Sequence, residues 1–268
     1  MNRLPKLTVI TPSYNQGQFI ERAIRSVVEQ GYPDLEYIVV DGGSPDETLE
    51  VLLRYDRQLR WSSKPDRGQA DALNEGLRRA TGDVIAFLNS DDTYQPGALL
   101  KVGRLFATNP DAPWLTGRCR TIDQAGDEIR RPITQYKNFW LRLASYRVLN
   151  VLNFVSQPAT FWRRSVIETI GPFDETLRYA MDYDYHLRVW RRFQPLVVNE
   201  YLANFRVHPE SKAGSSASAQ FDSDLEILRR HTSSRLLLSM HAAHNAAAVA
   251  TYRLLMRSAK PPVTASGR

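Results

Sequence analysis

Val84-Ile85-Ala86-Phe87-Leu88-Asn89-Ser90-Asp91-Asp92 is an apolar run, short enough for a buried strand, that ends abruptly in two adjacent carboxylates. Side-by-side aspartates repel, and both stay ionised at low cost only where water or a bound cation compensates them. A strand end that opens into a crevice is where a divalent metal would sit. The stretch therefore reads in one of two ways, as the cation end of a ligand site or as a solvated turn after a strand.

The sequence before it has the same rhythm. Lys6 to Thr11 (KLTVIT) reads as a buried strand closed by Pro12, and Gln18 to Gln30 then sets Ile20, Ala23, Ile24, Val27 and Val28 on one helical face. Leu35 to Val40 is a second strand ending in Asp41-Gly42-Gly43-Ser44, followed by a helix over Glu47 to Tyr55. Leu59 to Ser62 is a further strand candidate, and Gln69 to Ala80 carries Ala72, Leu73, Gly76, Leu77 and Ala80 at helical spacing. Alternating strands and helices of these lengths predict an α/β fold, a mostly parallel sheet with helices on both faces, whose ligands bind outside the carboxyl ends of the strands. Three polar clusters converge on that edge: Thr11-Pro12-Ser13-Tyr14-Asn15, Asp41-Gly42-Gly43-Ser44 and Ser90-Asp91-Asp92.

These segments resemble a known family. TVITPSYNQGQFIERAIRSVVEQ, YIVVDGGSPDET, KPDRGQADALNEG and IAFLNSDD are similar to the nucleotide-sugar half of inverting family 2 glycosyltransferases of the GT-A fold. GPFDETLRYAMDYDYHLRV resembles the acceptor-side segment, and NFRVHPESKAG the closing histidine motif, so the resemblance runs from about Leu7 to Gly214. The order and spacing of several motifs make it specific. It implies a catalytic domain over 1–214 (nucleotide-sugar half 1–120, acceptor half 121–214). Past Gly214 the residues themselves, a Ser-Ala-Gly-rich link over Lys212 to Ser218 and then Phe221, Leu225 and Leu228 at helical spacing, read as a helical extension over 215–258 and a disordered tail over 259–268.

A nucleotide-diphosphate sugar asks for a flat polar slot, a diol acceptor, a cation and a base. Thr11, Pro12, Tyr14 and Asp41 could frame the nucleobase, Tyr14 as an apolar face and Asp41 as acceptor of an imide N–H. Asn15 and Ser90 belong to the same clusters. The loop with Asp66 and Arg67, and Asp71 and Asn74 behind it, lies beside base and donor sugar in the resembling family. Asp66 reads equally as the acid that offsets a helix dipole, and Asn74 as a solvated helix residue. The resemblance implies that Asp91 faces the ribose while Asp92, with His208, holds Mg²⁺ or Mn²⁺ against the diphosphate. Oxygen ligands suit both ions, and an imidazole leans toward Mn²⁺. Asp182 matches the family's general base, although Met181 replaces the Glu usual before it, and an N-terminal helix acid is the competing reading. Asp184, two positions along a helix, points about 200° away, so only one of the two can face the crevice.

Other classes fit less well. A sugar nucleotidyltransferase would carry a glycine-rich, Arg/Lys-bearing loop where Pro12-Ser13-Tyr14-Asn15 stands, and no Gly-x-Gly-x-x-Gly follows the first strand as a dinucleotide oxidoreductase needs. A noncatalytic sugar-nucleotide sensor would not need Asp182. The single Cys119 forbids an internal disulfide, and Met1 to Lys6 lacks a signal-peptide apolar run, which together fit the cytoplasm. Net charge +6 and pI near 9.5 attract anionic partners. No nucleic-acid motif is present, so an anionic membrane surface on the cytoplasmic side suits them better, with a glycan or lipid-linked sugar as acceptor. Phe139 to Phe154 reads as one partly exposed helix or one packed on the sheet. Leu236 to Tyr252 is too short and polar for a confident membrane span and could lie on a membrane, dock on the catalytic domain or pair with another copy. Oligomeric state is left open.

Overall fold

A computed structural model describes residues 3–211 and 217–258. Its centre is an eight-stranded sheet in the order β3-β2-β1-β4-β7-β6-β8-β5. The strands are β1 Leu7–Ser13, β2 Leu35–Asp41, β3 Arg60–Ser63, β4 Val84–Phe87, β5 Thr93–Tyr94, β6 Trp114–Ile122, β7 Thr160–Arg163 and β8 Pro195–Arg206. The helices are α1 Gly17–Val28, α2 Thr48–Arg54, α3 Gln69–Arg79, α4 Ala98–Thr108, α5 Arg131–Arg142, α6 Tyr146–Leu149, α7 Arg164–Ile170, α8 Met181–Trp190, α9 Ala217–His231 and α10 Arg235–Ser258.

The first four strands are parallel, as the strand-helix alternation predicts, so Ser13, Asp41, Ser63 and the turn after Phe87 end at one edge. Alternate residues of each strand feed different layers. Ile10, Ile85 and Phe87 pack under α3 and the helices of the acceptor side, while Leu7, Val9, Val84 and Ala86 pack with α1 and α4. With both faces covered, strands read as continuous apolar runs. Gly76 lets α3 lie directly on β1, since an added Cβ would collide with Ile10. In the far half, β5 pairs antiparallel with β8 through Thr93 and Asn204. That pairing carries the end of β8, Arg206, back to the Asp91–Asp92 turn.

Two expectations change. The first strand runs through Pro12 to Ser13, with Pro12 opposite Val40. Phe139 to Phe154 is not one helix: α5 stops at Arg142 and α6 starts afresh, with the Ser145 hydroxyl accepting from the Val148 N–H at 3.2 Å. The Ser145 cap offers the backbone a local alternative to continued helix. Of the alternatives for the C-terminal helices, docking is what is found. His231 Nε2 lies 2.8 Å from Asp184, Ile227 and Leu228 are buried, and the Asn245 amide donates to the Phe221 carbonyl at 2.8 Å. No described helix is long and apolar enough to cross a membrane. The boundary expected at 214 and the tail 259–268 lie outside the described residues.

Candidate active site

The crevice begins where β1 and β2 end. Thr11 is fully buried and its hydroxyl pairs with the Tyr37 hydroxyl at 3.0 Å, Pro12 is buried, and Tyr14 and Asn15 stand exposed at the rim. Asn15 has φ 53°, which aims its N–H at the Ser44 hydroxyl 2.8 Å away. Asp41 is fully buried, and its carboxylate accepts from the N–H groups of Gly43 and Ser44 at 3.0 and 2.9 Å and from the Ser44 and Ser63 hydroxyls at 2.5 and 2.6 Å. Three of those donors lie on Oδ2 and one on Oδ1, so Oδ1 keeps one of its two lone-pair directions. Asp41 thus holds the turn after β2 mainly through Oδ2.

Asp66 lies against that turn, close enough that a Cβ on Gly42 would meet its Oδ2 at 2.9 Å. Burial pushes its carboxyl above the usual range, against the opposing N–H of Gly68. Arg67 is engaged with Asp71 at 3.0 Å and Glu175 at 2.6 Å. Asn74 departs from both readings. It is 3 % exposed, its amide bonds the backbone N–H and carbonyl of Phe173 at 2.9 and 3.0 Å, and it reaches Glu175 at 2.9 Å. It is a buried clamp on the acceptor-side loop, neither solvated nor open to the crevice.

The Asp91–Asp92 pair is asymmetric. Asp92 is fully buried, with Oδ1 accepting from the Arg206 N–H at 2.8 Å and Oδ2 from the Asn89 amide at 3.2 Å. Burial first, and the charge of Asp91 second, hold its carboxyl well above the usual range. Asp91 keeps part of its side chain open, and its Oδ2 lies 3.2 Å from His208 Nε2. His208 packs on the Phe19 ring with centroids 4.5 Å apart, and its backbone N–H donates to the Ser211 hydroxyl at 3.2 Å. Ser90 is buried beside them. Arg206, 2 % exposed, bonds the carbonyls of Asp91, Asp123 and Gln124 at 2.7 to 3.0 Å and lies over Phe19.

Among the described residues no group of three or more His, Cys, Asp or Glu side chains is arranged to hold a metal. One carboxylate oxygen and one imidazole nitrogen nevertheless converge at Asp91 and His208, a donor pair suited to Mn²⁺ or Mg²⁺ that takes its other oxygens from a diphosphate and water.

Asp182 lies in the first turn of α8, partly exposed. Asp184 is the structural partner: its two oxygens meet His231 and Arg188, each at 2.8 Å, and the hydrogen bond from His231 and the charge of Arg188 lower its carboxyl pKa in spite of burial. Lys137 of α5 and Asp224 of α9 are electrostatic neighbours of Asp182. Asp224 is 4 % exposed, burial raises its carboxyl far above the ordinary range, and its Oδ1 has no partner among the described residues.

The family model described as Glycosyl transferase family 2 matches residues 8–171. The chain belongs to this family. An uncharacterized glycosyltransferase of Mycobacterium tuberculosis is 31% identical over 76% of this chain and 76% of its own length, and another from Nostoc sp. is 29% identical over 80% and 68%. A PGL/p-HBAD biosynthesis glycosyltransferase of Mycobacterium bovis is 28% identical over 74% of each chain. The fold is that of the GT-A glycosyltransferases. S. aureus TarS 1-349 in complex with UDP-GlcNAc superposes with TM-score 0.66 at 21% identity, covering 84% of this chain and 66% of that one. The mannosyltransferase PcManGT from Pyrobaculum calidifontis, in complex with GDP-Man and Mn²⁺, gives 0.64 at 20% identity over 96% and 82%. The match of the family 2 model ends at residue 171, so Asp182 and His208 lie beyond it.

Two residues of this family 2 site escape sequence reading. Arg206 stands inside the quoted Arg206-Val207-His208 segment, but nothing in its spacing says that it binds three carbonyls. Phe19 reads only as one more apolar position near the start of α1.

Proposed function

We propose that the protein is an inverting, metal-dependent transferase that moves a sugar from a UDP- or dTDP-sugar to an acceptor hydroxyl in surface-polysaccharide or glycolipid assembly, working at the cytoplasmic face of a membrane. The observation that carries this reading is the meeting of Asp91 and His208 at the carboxyl edge of the parallel strands, 3.2 Å apart. Asp91 and His208 are the residues that would hold Mn²⁺ or Mg²⁺. Asp92, with both oxygens bound inside the chain, is better suited to fixing the turn. When bound, the ion would supply positive charge against the departing diphosphate. Tyr14 and Asn15 at the rim are suited to the base and ribose, with Thr11, Pro12, Asp41 and Ser90 shaping the slot beneath and Asp66, Arg67 and Asp71 beside the sugar.

Asp182 takes the acceptor hydroxyl proton onto its carboxylate while the acceptor oxygen bonds to the anomeric carbon. The bond from that carbon to the phosphate oxygen breaks, and its electron pair leaves with the nucleoside diphosphate. A single displacement of this kind inverts the anomeric centre. The deciding experiment is a panel of nucleotide sugars screened by thermal shift with Mn²⁺ or Mg²⁺, with transfer measured on the best binder. Asp91→Asn and His208→Ala should each weaken metal-dependent donor binding about tenfold or more. Asp182→Asn should keep donor binding and lose roughly 10²-fold or more of transfer; near-normal turnover removes Asp182 from the role. Asp92→Ala should lower stability together with donor binding, whereas loss of the Mn²⁺ response at full stability would return the ligand role to Asp92.

A further inference from the structure

The excess positive charge of this chain is confined to two stretches. Residues 129–167 and 227–268 contain no Asp or Glu and seven Lys or Arg each of the total of 35, which leaves 21 against all 29 acids in the rest of the protein. Helices α5 and α10 come from these stretches, and they meet where the Tyr136 ring stacks on His244, centroids 6.1 Å apart and planes 9° from parallel.

Their outer faces are apolar. On α5, Tyr136, Phe139 and Leu143 recur at i, i+3 and i+7, so they share one side of the helix, and Phe139 and Leu143 are each 54% exposed. On α10, Leu236 is 70% exposed and Met240 follows one turn later. The exposed side continues through Ala243 and Ala247, and no charged residue occurs between Arg235 and Arg253. Exposed Arg142, Arg147 and Arg235 flank this surface. Exposed apolar residues are ordinary singly, but grouped on adjoining helices they mark a contact surface.

Two occupants compete, a second copy of the chain and a lipid surface. A two-fold contact through this face would bring the same acid-free, cationic stretches together with no opposite charge to meet them. An anionic bilayer supplies that charge, and its headgroup boundary accepts amphipathic aromatic rings beside aliphatic side chains. We propose that the joint outer face of α5 and α10 docks on an anionic bilayer. The proposal deepens the reading of the protein as a transferase with a membrane-borne acceptor, and rests on it for its purpose. It also gives the bound enzyme an orientation. Lys137, on the same α5, is within electrostatic reach of Asp182, so the candidate base lies on the side of the molecule that carries this helix.

The test is co-sedimentation of the full chain with vesicles of phosphatidylcholine alone and with roughly one third phosphatidylglycerol. Partition should be at least about tenfold stronger onto the anionic vesicles and should fall with added salt, because exposed charges are screened. The double variant Phe139→Glu/Leu143→Glu should lose most of that partition while keeping its far-UV circular dichroism and its donor-induced thermal shift. Leu236→Glu/Met240→Glu provides the same reading from α10 should the first pair fail to fold. Equal partition onto both vesicle types, or no loss in either folded variant, overturns the proposal. So does a dimer in sedimentation velocity that these substitutions dissociate. Vesicle binding without any nucleotide-sugar response would instead count against the transferase reading alone.

Discussion

Arg206 shows how a single side chain fixes the chemistry of a neighbour. Its backbone N–H holds Asp92 and its guanidinium ties together the carbonyls of Asp91, Asp123 and Gln124. Replacing it by Ala would keep the backbone bond to Asp92 but leave three carbonyl acceptors without their donor, and each buried acceptor left unsatisfied costs about 1–3 kcal/mol. We expect Arg206→Ala to lower the denaturation midpoint by a corresponding amount and to weaken donor binding with it, measured by urea titration and calorimetry; an unchanged midpoint would deny the clamp. At this scale the sequence was partly readable. The paired acids after an apolar run, and a histidine in Arg206-Val207-His208, are singled out by pattern, and the fold brings Asp91 and His208 together at 3.2 Å. Which of Asp91 and Asp92 stays open depends on the β5–β8 pairing more than a hundred residues away in sequence, which local pattern does not contain. For the same reason Asn74 could not be read, because Phe173 and Glu175 reach it only through the folded acceptor side.

Elements were legible where periodicity and burial agree. The parallel strands and α1 to α3 follow from continuous apolar runs and helical spacing, while the break between α5 and α6 depends on one serine cap. Helix α8 carries a further consequence. His186 lies between the Trp114 and Trp162 rings, fully buried with neither nitrogen bonded among the described residues, and burial lowers its pKa to about 4. Between that value and the ordinary 6.5 the unfolded chain binds a proton that the folded chain refuses, so stability falls as pH drops through this window. The full loss amounts to about 3 kcal/mol. Unfolding midpoints between pH 7 and pH 4 should slope down in the parent protein, and the slope should flatten in His186→Phe; equal slopes would rule this out. Gly76→Ala belongs to the same scale. It pushes α3 off Ile10, and overpacking of this kind costs about 1–3 kcal/mol, readable in the same titrations.

For the whole molecule, the C-terminal helices are part of the body and not a tail. Ile227 and Leu228 are 1% and 0% exposed in the layer that also holds α8. Ending the chain at Ser211 would uncover that layer, and the two side chains alone represent about 3–6 kcal/mol of burial. Such a protein should unfold at markedly lower urea than the full chain; equal stability would show that α9 and α10 merely rest on the surface. The sequence suggested docking as one of three alternatives, because amphipathic spacing cannot name what a face packs against.

Helix α5 presents Phe139 and Leu143 outward while its Lys137 is within electrostatic reach of Asp182. On the proposed orientation, an acceptor carried in the leaflet reaches the carboxylate by sliding sideways, never crossing open water. Turnover would then follow how crowded the sheet of lipid is with acceptor rather than how much is dissolved in the tube, and inert lipid added at constant total acceptor would slow the enzyme by dilution in two dimensions.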